Sequence, residues 1–192
     1  MKKILFVANM KKDKELTHSK EIINSLVEKG VTVFVDAQEL VFPNCSYLIS
    51  PEEINQVDLM IVLGGDGTIL TYARKYKKYN IPIMGINLGR IGALAVAELD
   101  DYSTYIDKLI NDDYVITNHL ALECKIIRSN KKVEKFVAFN DVVVHRGTSP
   151  KILGVNIAIN NTDFSEVYTD GIIVSTPNGS SAYNLSAGGP LL

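Results

Sequence analysis

Leu59-Met60-Ile61-Val62-Leu63-Gly64-Gly65-Asp66-Gly67-Thr68-Ile69-Leu70 is the stretch whose reading decides the fold. Its apolar start reads as a strand, and the glycines that follow let the backbone turn tightly and approach a ligand closely. From Ile69 to Tyr76 the apolar residues recur at helical spacing. The segment is therefore a strand, a glycine turn and a helix N-terminus, an arrangement that favours phosphate oxygens. Asp66 makes the turn unusual, because a carboxylate there repels phosphate unless it holds a metal or takes a proton from an attacking hydroxyl. That combination points to phosphoryl transfer. Asp-Gly also starts many hairpins, but the residues beyond it lack strand alternation. Neither G-x-x-x-x-G-K-[ST] nor G-x-G-x-x-G occurs, which disfavours the P-loop and the ordinary dinucleotide fingerprint.

On either side, strand and helix alternate. Residues 4–8 read as a first strand and 15–29 as a helix with Leu16, Ile22, Ile23 and Leu26 on one face and Gly30 as its stop. Further strands are expected at 31–35, 57–63 and 81–86, the last ending in the turn Asn87-Leu88-Gly89-Arg90-Ile91-Gly92. This alternation predicts a Rossmann-like parallel α/β domain over residues 1–99, with ligands beyond the carboxyl ends of its strands. After Glu98 the texture changes. A bridging helix is expected at 100–111, then strands at 119–127, 133–145, 155–159 and 172–174, joined by polar turns at 128–131 and 160–163. Such runs predict a β-rich, sandwich-like second domain over residues 100–192.

The composition narrows the function classes. A net charge of -2 gives no reason to expect nucleic acid or an acidic membrane as partner. Lys11, Lys12, Lys14, Lys75, Lys77 and Lys78 read as solvated faces. Cys45 and Cys124 have neither zinc nor disulfide spacing and suit a reducing cytoplasm. The apolar run after Met1 is too short for a signal peptide, and no stretch approaches transmembrane length.

Two polar constellations interrupt the later strands. Asn140-Asp141 lies between Val137-Ala138-Phe139 and Val142-Val143-Val144, where it either sits at a site or turns to solvent through a bulge. Asp170-Gly171 precedes Ser175-Thr176-Pro177-Asn178-Gly179-Ser180-Ser181-Ala182-Tyr183-Asn184-Leu185-Ser186-Ala187-Gly188-Gly189-Pro190. Small hydroxyl residues opening a helix offer donors to an anion or a sugar, although a capped helix behind a loop has the same pattern.

Together these segments resemble the NAD kinase family. The Gly-Gly-Asp-Gly turn is shared more widely, with lipid kinases among others, while the segments around Asn140, Asp170 and Ser181 to Pro190 are specific to NAD kinases. The resemblance implies transfer of the γ-phosphoryl of ATP to the adenosine ribose 2′-hydroxyl of NAD. It makes Asp66 the acid–base residue and a contact of NAD together with Gly67. It gives Gly64, Gly65, Gly67 and Thr68 to the donor's phosphates, with a divalent metal, magnesium by expectation, whose ligands stay open. Asn140, Asp141, Lys151, Tyr168, Asp170 and the run Ser181, Ala182, Tyr183, Asn184, Leu185, Ser186 match the NAD pocket. Asp141 stands where a glutamate is commoner, Asn178 and Ser181 replace threonines, and Ala93 occupies a position where an aromatic often packs near the adenine.

A cytoplasmic homo-oligomer, dimer or tetramer, working on small-molecule nucleotides is expected. Relatives continue past Gly-Gly-Pro, so the second domain is expected to be incomplete at its C-terminus. A noncatalytic NAD- or NADP-binding module and a lipid kinase are the alternatives. The hydroxyls from Thr176 to Ser186 disfavour the lipid kinase, and Asp66 disfavours the pure binding module.

Overall fold

Even and odd positions of the first strands face opposite ways, and both faces are apolar. The computed structural model describes residues 1–36, 42, 45–48, 50–89 and 92–192, and they form two compact units, Met1–Ile116 and Thr117–Leu192. In the first unit, β1 (Lys3–Ala8), α1 (Thr17–Glu28), β2 (Thr32–Asp36), β3 (Ser46–Leu48), α2 (Pro51–Ile54), β4 (Leu59–Leu63), α3 (Asp66–Tyr76), β5 (Ile83–Asn87), β6 (Ala97–Glu98) and α4 (Tyr102–Ile110) follow one another. The strands make one six-stranded sheet in the order β3-β2-β1-β4-β5-β6, parallel throughout.

Ile4, Phe6, Ile61, Leu63 and Ile86 pack on one face with Ile22, Ile23 and Leu26 of α1 and Ile106 and Leu109 of α4. Leu5, Val7, Met60 and Val62 pack on the other with Ile69, Tyr72 and Tyr76 of α3. Burial on both faces is why these strands read as continuous apolar runs. Gly30, at φ +78, ends the first α1 connection as its sequence position suggested.

The strand order reverses between β1 and β4, so the loop after β1 and the glycine turn after β4 flank the switch point where open α/β sheets bind ligands. The boundary expected near residue 99 moves to 116–117, because the helix expected to bridge the domains buries Ile106 and Leu109 in the first core. Arg90 and Ile91 of the second glycine-containing turn lie outside the described residues. The short β3, α2 and β6 carry too few residues to show a period, and the sequence reading passes over them.

The second unit is β-rich and antiparallel. β7 (Leu122–Ile127) pairs with β8 (Val133–Ala138), β9 (Asp141–His145) with β12 (Gly171–Ser175), and β10 (Leu153–Ile159) with β11 (Thr162–Thr169). The expected single strand 133–145 is two strands, broken at Phe139-Asn140. The expected turn at 160–163 is shorter: Asn160 and Asn161 hold φ +50 and +63, and the chain returns at once as β11. Only Thr176, Gly179 and Ser180 are buried in this unit, and Phe136, Val144, Ile159, Phe164 and Val174 are exposed. Its order rests on paired strands and side-chain-to-backbone bonds, with no buried apolar side chain.

Candidate active site

The helix expected after the glycine turn starts at Asp66, with Gly65 in extended backbone as its N-cap. The Thr68 N–H donates to the Gly65 carbonyl at 2.8 Å and the Ile69 N–H to the same oxygen at 3.2 Å, which closes the first turn, and the peptide dipoles of the helix leave this end positive. Asp66 does not point freely into this space. Its Oδ2 accepts the Ala93 N–H at 2.8 Å and its Oδ1 the Leu94 N–H at 3.1 Å, so the carboxylate ties α3 to the segment before β6. Gly92 permits this approach, since a Cβ there would stand 2.1 Å from Asp66 Oδ1. Each oxygen keeps a lone pair for a further donor.

Thr68 Oγ1 accepts Asn9 Nδ2–H at 3.1 Å, which links the β1 loop to the α3 N-terminus across the switch point. Gly64 sits against that hydroxyl, where a Cβ would lie 2.6 Å from Oγ1. Asp13 is buried in the same loop, its Oδ2 accepting the Ser19 N–H at 2.9 Å and the Ser19 hydroxyl at 2.6 Å. The loop is thus pinned at both ends. A cavity of about 250 Å³ is lined by Asn87, Gly92 and residues 95–98 and 101. Two of the lysines read as solvated are not merely so. Lys75 pairs with the buried Asp36, which also accepts Tyr76 O–H at 2.8 Å, and Lys12 donates to the Leu88 carbonyl at 2.8 Å.

In the second unit, Asn140 and Asp141 are half-buried, and backbone bonds join them to the hydroxyl-rich segment. The Asn140 carbonyl accepts Thr176 N–H at 2.8 Å, and the Phe139 carbonyl accepts Thr176 O–H at 2.7 Å. Thr176 Oγ1 in turn accepts Gly179 N–H at 3.0 Å. The bulge reading of Asp141 gives way to a strand position, opposite Ser175. Thr176→Val removes the donor to Phe139 and the acceptor for Gly179 while keeping the side-chain shape. It is expected to destabilise this junction by about 1–3 kcal/mol, seen as loss of hydrogen-exchange protection at the Gly179 amide, with the first unit's amides unchanged.

Residues 175–190 are not one long helix. Asn178–Ser181 is a 3₁₀ turn and α5 (Tyr183–Ser186) a single turn, because the hydroxyls bond their own backbone. Ser180 Oγ donates to the Pro177 carbonyl at 2.6 Å, Ser181 Oγ to that of Asn178 at 3.3 Å, and Asn184 Nδ2 to that of Pro190 at 2.8 Å. Ala182 belongs to this folded turn, while Ser181, Tyr183, Leu185 and Ser186 offer side chains at its surface. Asp170 is exposed and held by Arg146, whose Nε–H donates to Oδ1 at 2.6 Å. Arg146 lay outside the sequence reading because it stands far from Asp170 in the chain. Lys151 is exposed on the β9–β10 connection, and Tyr168, on β11, donates to Glu166 Oε2 at 3.1 Å.

Residues 4–114 match the model of the ATP-NAD kinase N-terminal domain, and residues 139–192 that of the ATP-NAD kinase C-terminal domain. The chain belongs to the NAD kinase family. An NAD kinase of Caldanaerobacter subterraneus subsp. tengcongensis is 33% identical over 196 residues, covering 100% of this chain and 69% of the relative. One from Ruminiclostridium cellulolyticum is 35% identical over 193 residues, 100% of this chain and 68% of that protein. Among solved structures, an NAD kinase from Archaeoglobus fulgidus in complex with ATP superposes with a TM-score of 0.74 at 26% identity, over 99% of this chain and 67% of the other. Yeast NADH kinase complexed with NADH gives 0.81 at 22% identity, over 100% of this chain and 62% of that one, a likeness of fold. As a member of this family the chain is a kinase that phosphorylates NAD.

Among the described residues, no helix is long and apolar enough to cross a membrane, and no group of three or more His, Cys, Asp or Glu side chains is placed to hold a metal.

Proposed function

We propose that Asp66 is the general base of NAD phosphorylation, with ATP as phosphoryl donor. Asp66 takes the proton of the adenosine ribose 2′-hydroxyl as that oxygen attacks the γ-phosphorus. The new oxygen–phosphorus bond forms while the bond to the bridging β,γ-oxygen breaks. NADP and ADP are the products, and the proton stays on Asp66 until water removes it. The observation that carries this reading is the clamp on Asp66, which fixes both carboxylate oxygens at the N-terminus of α3. A secondary alcohol is a poor nucleophile until its proton leaves, and a positioned base contributes typically ~10²–10⁴-fold. Gly64, Gly65, Gly67 and Thr68 hold the donor's phosphates, and alignment and charge neutralisation supply the rest. A divalent metal, magnesium by its chemistry, adds charge neutralisation when it arrives with the nucleotide.

NAD is held by Asn140, Asp141, Asp170, Lys151, Tyr168 and the run from Ser181 to Ser186. The junction between Asn140 and Thr176 supports this, because it fixes the carboxamide strand end against the hydroxyl-rich turn. The two free cysteines support a cytoplasmic location, and exposed strand edges support a homo-oligomer, dimer or tetramer. Incubation with ATP, magnesium and NAD, with product separated by chromatography, is expected to give NADP. A calorimetric titration with NAD runs alongside. NAD binding without NADP formation would instead favour a noncatalytic binding module, and phosphorylation of diacylglycerol without NADP formation would favour the lipid kinase.

A further inference from the structure

Lys12 leaves β1 and crosses to the carboxyl end of β5, where its Nζ donates to the Leu88 carbonyl at 2.8 Å. Two glycines face that ammonium. A Cβ at Gly65 would stand 3.7 Å from Nζ and one at Gly89 3.6 Å. The same Gly65 position lies 4.0 Å from Asn87 Oδ1. Lys12, the N-cap of α3 and the end of β5 therefore border one space, kept free of side chains at the switch point.

Two features of this space call for a ligand. An ammonium near a helix N-terminus is unfavourable by itself, since the helix end is already positive, and Lys12 uses a carbonyl for only part of its donor capacity. An anion between them satisfies both. Independently, Asn87 is only 4% exposed, and its Oδ1 has no hydrogen-bond partner among the described residues. Its orientation is set by Nδ2, which donates to the Gly89 carbonyl at 2.9 Å. A buried carbonyl oxygen without a donor is costly. A ribose hydroxyl or a water carried by phosphate supplies that donor.

We infer that Lys12 is a further binding residue for the polyphosphate of the phosphoryl donor, its ammonium facing the α3 N-terminus across the space that Gly65 and Gly89 leave open. This rests on the reading that the glycine turn holds the donor's phosphates. Lys12 is the fixed cation of that site: it is exposed, as Lys11 and Lys14 are, but its ammonium is held by the Leu88 carbonyl. A cation held by a backbone carbonyl is aimed before the ligand arrives, which lowers the ordering cost of binding.

The experiment titrates inorganic triphosphate, ATP and NAD separately into the full 192-residue chain and its Lys12→Met and Lys12→Arg variants, by calorimetry. Lys12 is exposed, so both variants are expected to melt as the parent does. Lys12→Met is expected to weaken triphosphate and ATP at least ~10-fold, since a hydrogen bond to a charged group is lost. Lys12→Arg is expected to retain most of that affinity, and NAD to bind all three within about threefold. Equal triphosphate affinity in Lys12→Met and the parent would overturn the inference. Loss confined to NAD would move the contact to the NAD pyrophosphate and overturn the donor assignment. A parent chain that binds NAD but neither triphosphate nor ATP would instead overturn the reading of the glycine turn, and Lys12 with it.

Discussion

Asp66→Asn is expected to lower NADP formation by at least ~10²-fold, because an amide keeps the size of the carboxylate but takes no proton at neutral pH. The clamp adds a second consequence. Ala93 and Leu94 both present N–H groups to the side chain, and asparagine has one acceptor oxygen where aspartate has two. One of those N–H groups will face an NH₂, so the segment from Gly92 to Leu94 is expected to loosen as well. Asp66→Glu separates the two effects. It restores an acceptor for each N–H but pushes the carboxylate one methylene toward Gly92, where a Cβ would already stand 2.1 Å from Oδ1. Hydrogen exchange at Ala93 and Leu94 reads the clamp, and single-turnover phosphorylation reads the base. Turnover within about threefold of the parent in Asp66→Asn, with the clamp lost, would leave Asp66 a structural residue alone.

The first unit was legible because β1, β2, β4 and β5 are buried on both faces and α1, α3 and α4 on one, so period and burial agree. The run 59–63 became β4, and Ile22, Ile23 and Leu26 became the buried stripe of α1. The glycine turn fell at the switch point because strand order places it there, and alternation alone gives the parallel sheet but not that order. The compact units divide at 116–117 rather than near 99 for a related reason. The helical spacing of Ile106 and Leu109 shows that α4 packs on something, and only the structure shows that it packs on the first sheet. Lys12 and Asn87 were hidden because a lone lysine in a charged loop and an asparagine closing a strand have no spacing of their own. Their meaning comes from the carbonyl of Leu88 and the empty faces of Gly65 and Gly89.

The second unit shows the opposite balance. Its motifs were readable residue by residue, yet its local structure was not, since short hydroxyl side chains bond whichever backbone group lies near. The helix expected from Ser175 onward became a 3₁₀ turn and a single α turn for that reason. What the motif preserves is a junction, in which Thr176 reads the strand end at Phe139 with its hydroxyl and the turn at Gly179 with the same oxygen.

That junction sets the last expectation. In Gly179→Ala the new Cβ would stand 2.1 Å from the Asn140 carbonyl oxygen, 2.4 Å from its carbon and 2.6 Å from its Cα. All three are backbone atoms, so no rotamer change relieves the contact, and the turn must withdraw from the strand end. Withdrawal breaks Thr176 N–H to Asn140, Thr176 O–H to Phe139 and Gly179 N–H to Thr176. Each such bond is worth about 0.5–1.5 kcal/mol and overpacking about 1–3 kcal/mol. No buried apolar side chain in this unit is present to absorb the shift. NAD affinity is therefore expected to fall at least ~10²-fold. Triphosphate binding belongs to the first unit and is expected to stay within about threefold of the parent. Calorimetry with the two ligands distinguishes the outcomes. Unchanged NAD binding in Gly179→Ala would remove the Asn140–Thr176 junction from the NAD pocket, whereas equal loss of both ligands would show that the whole chain had failed to fold.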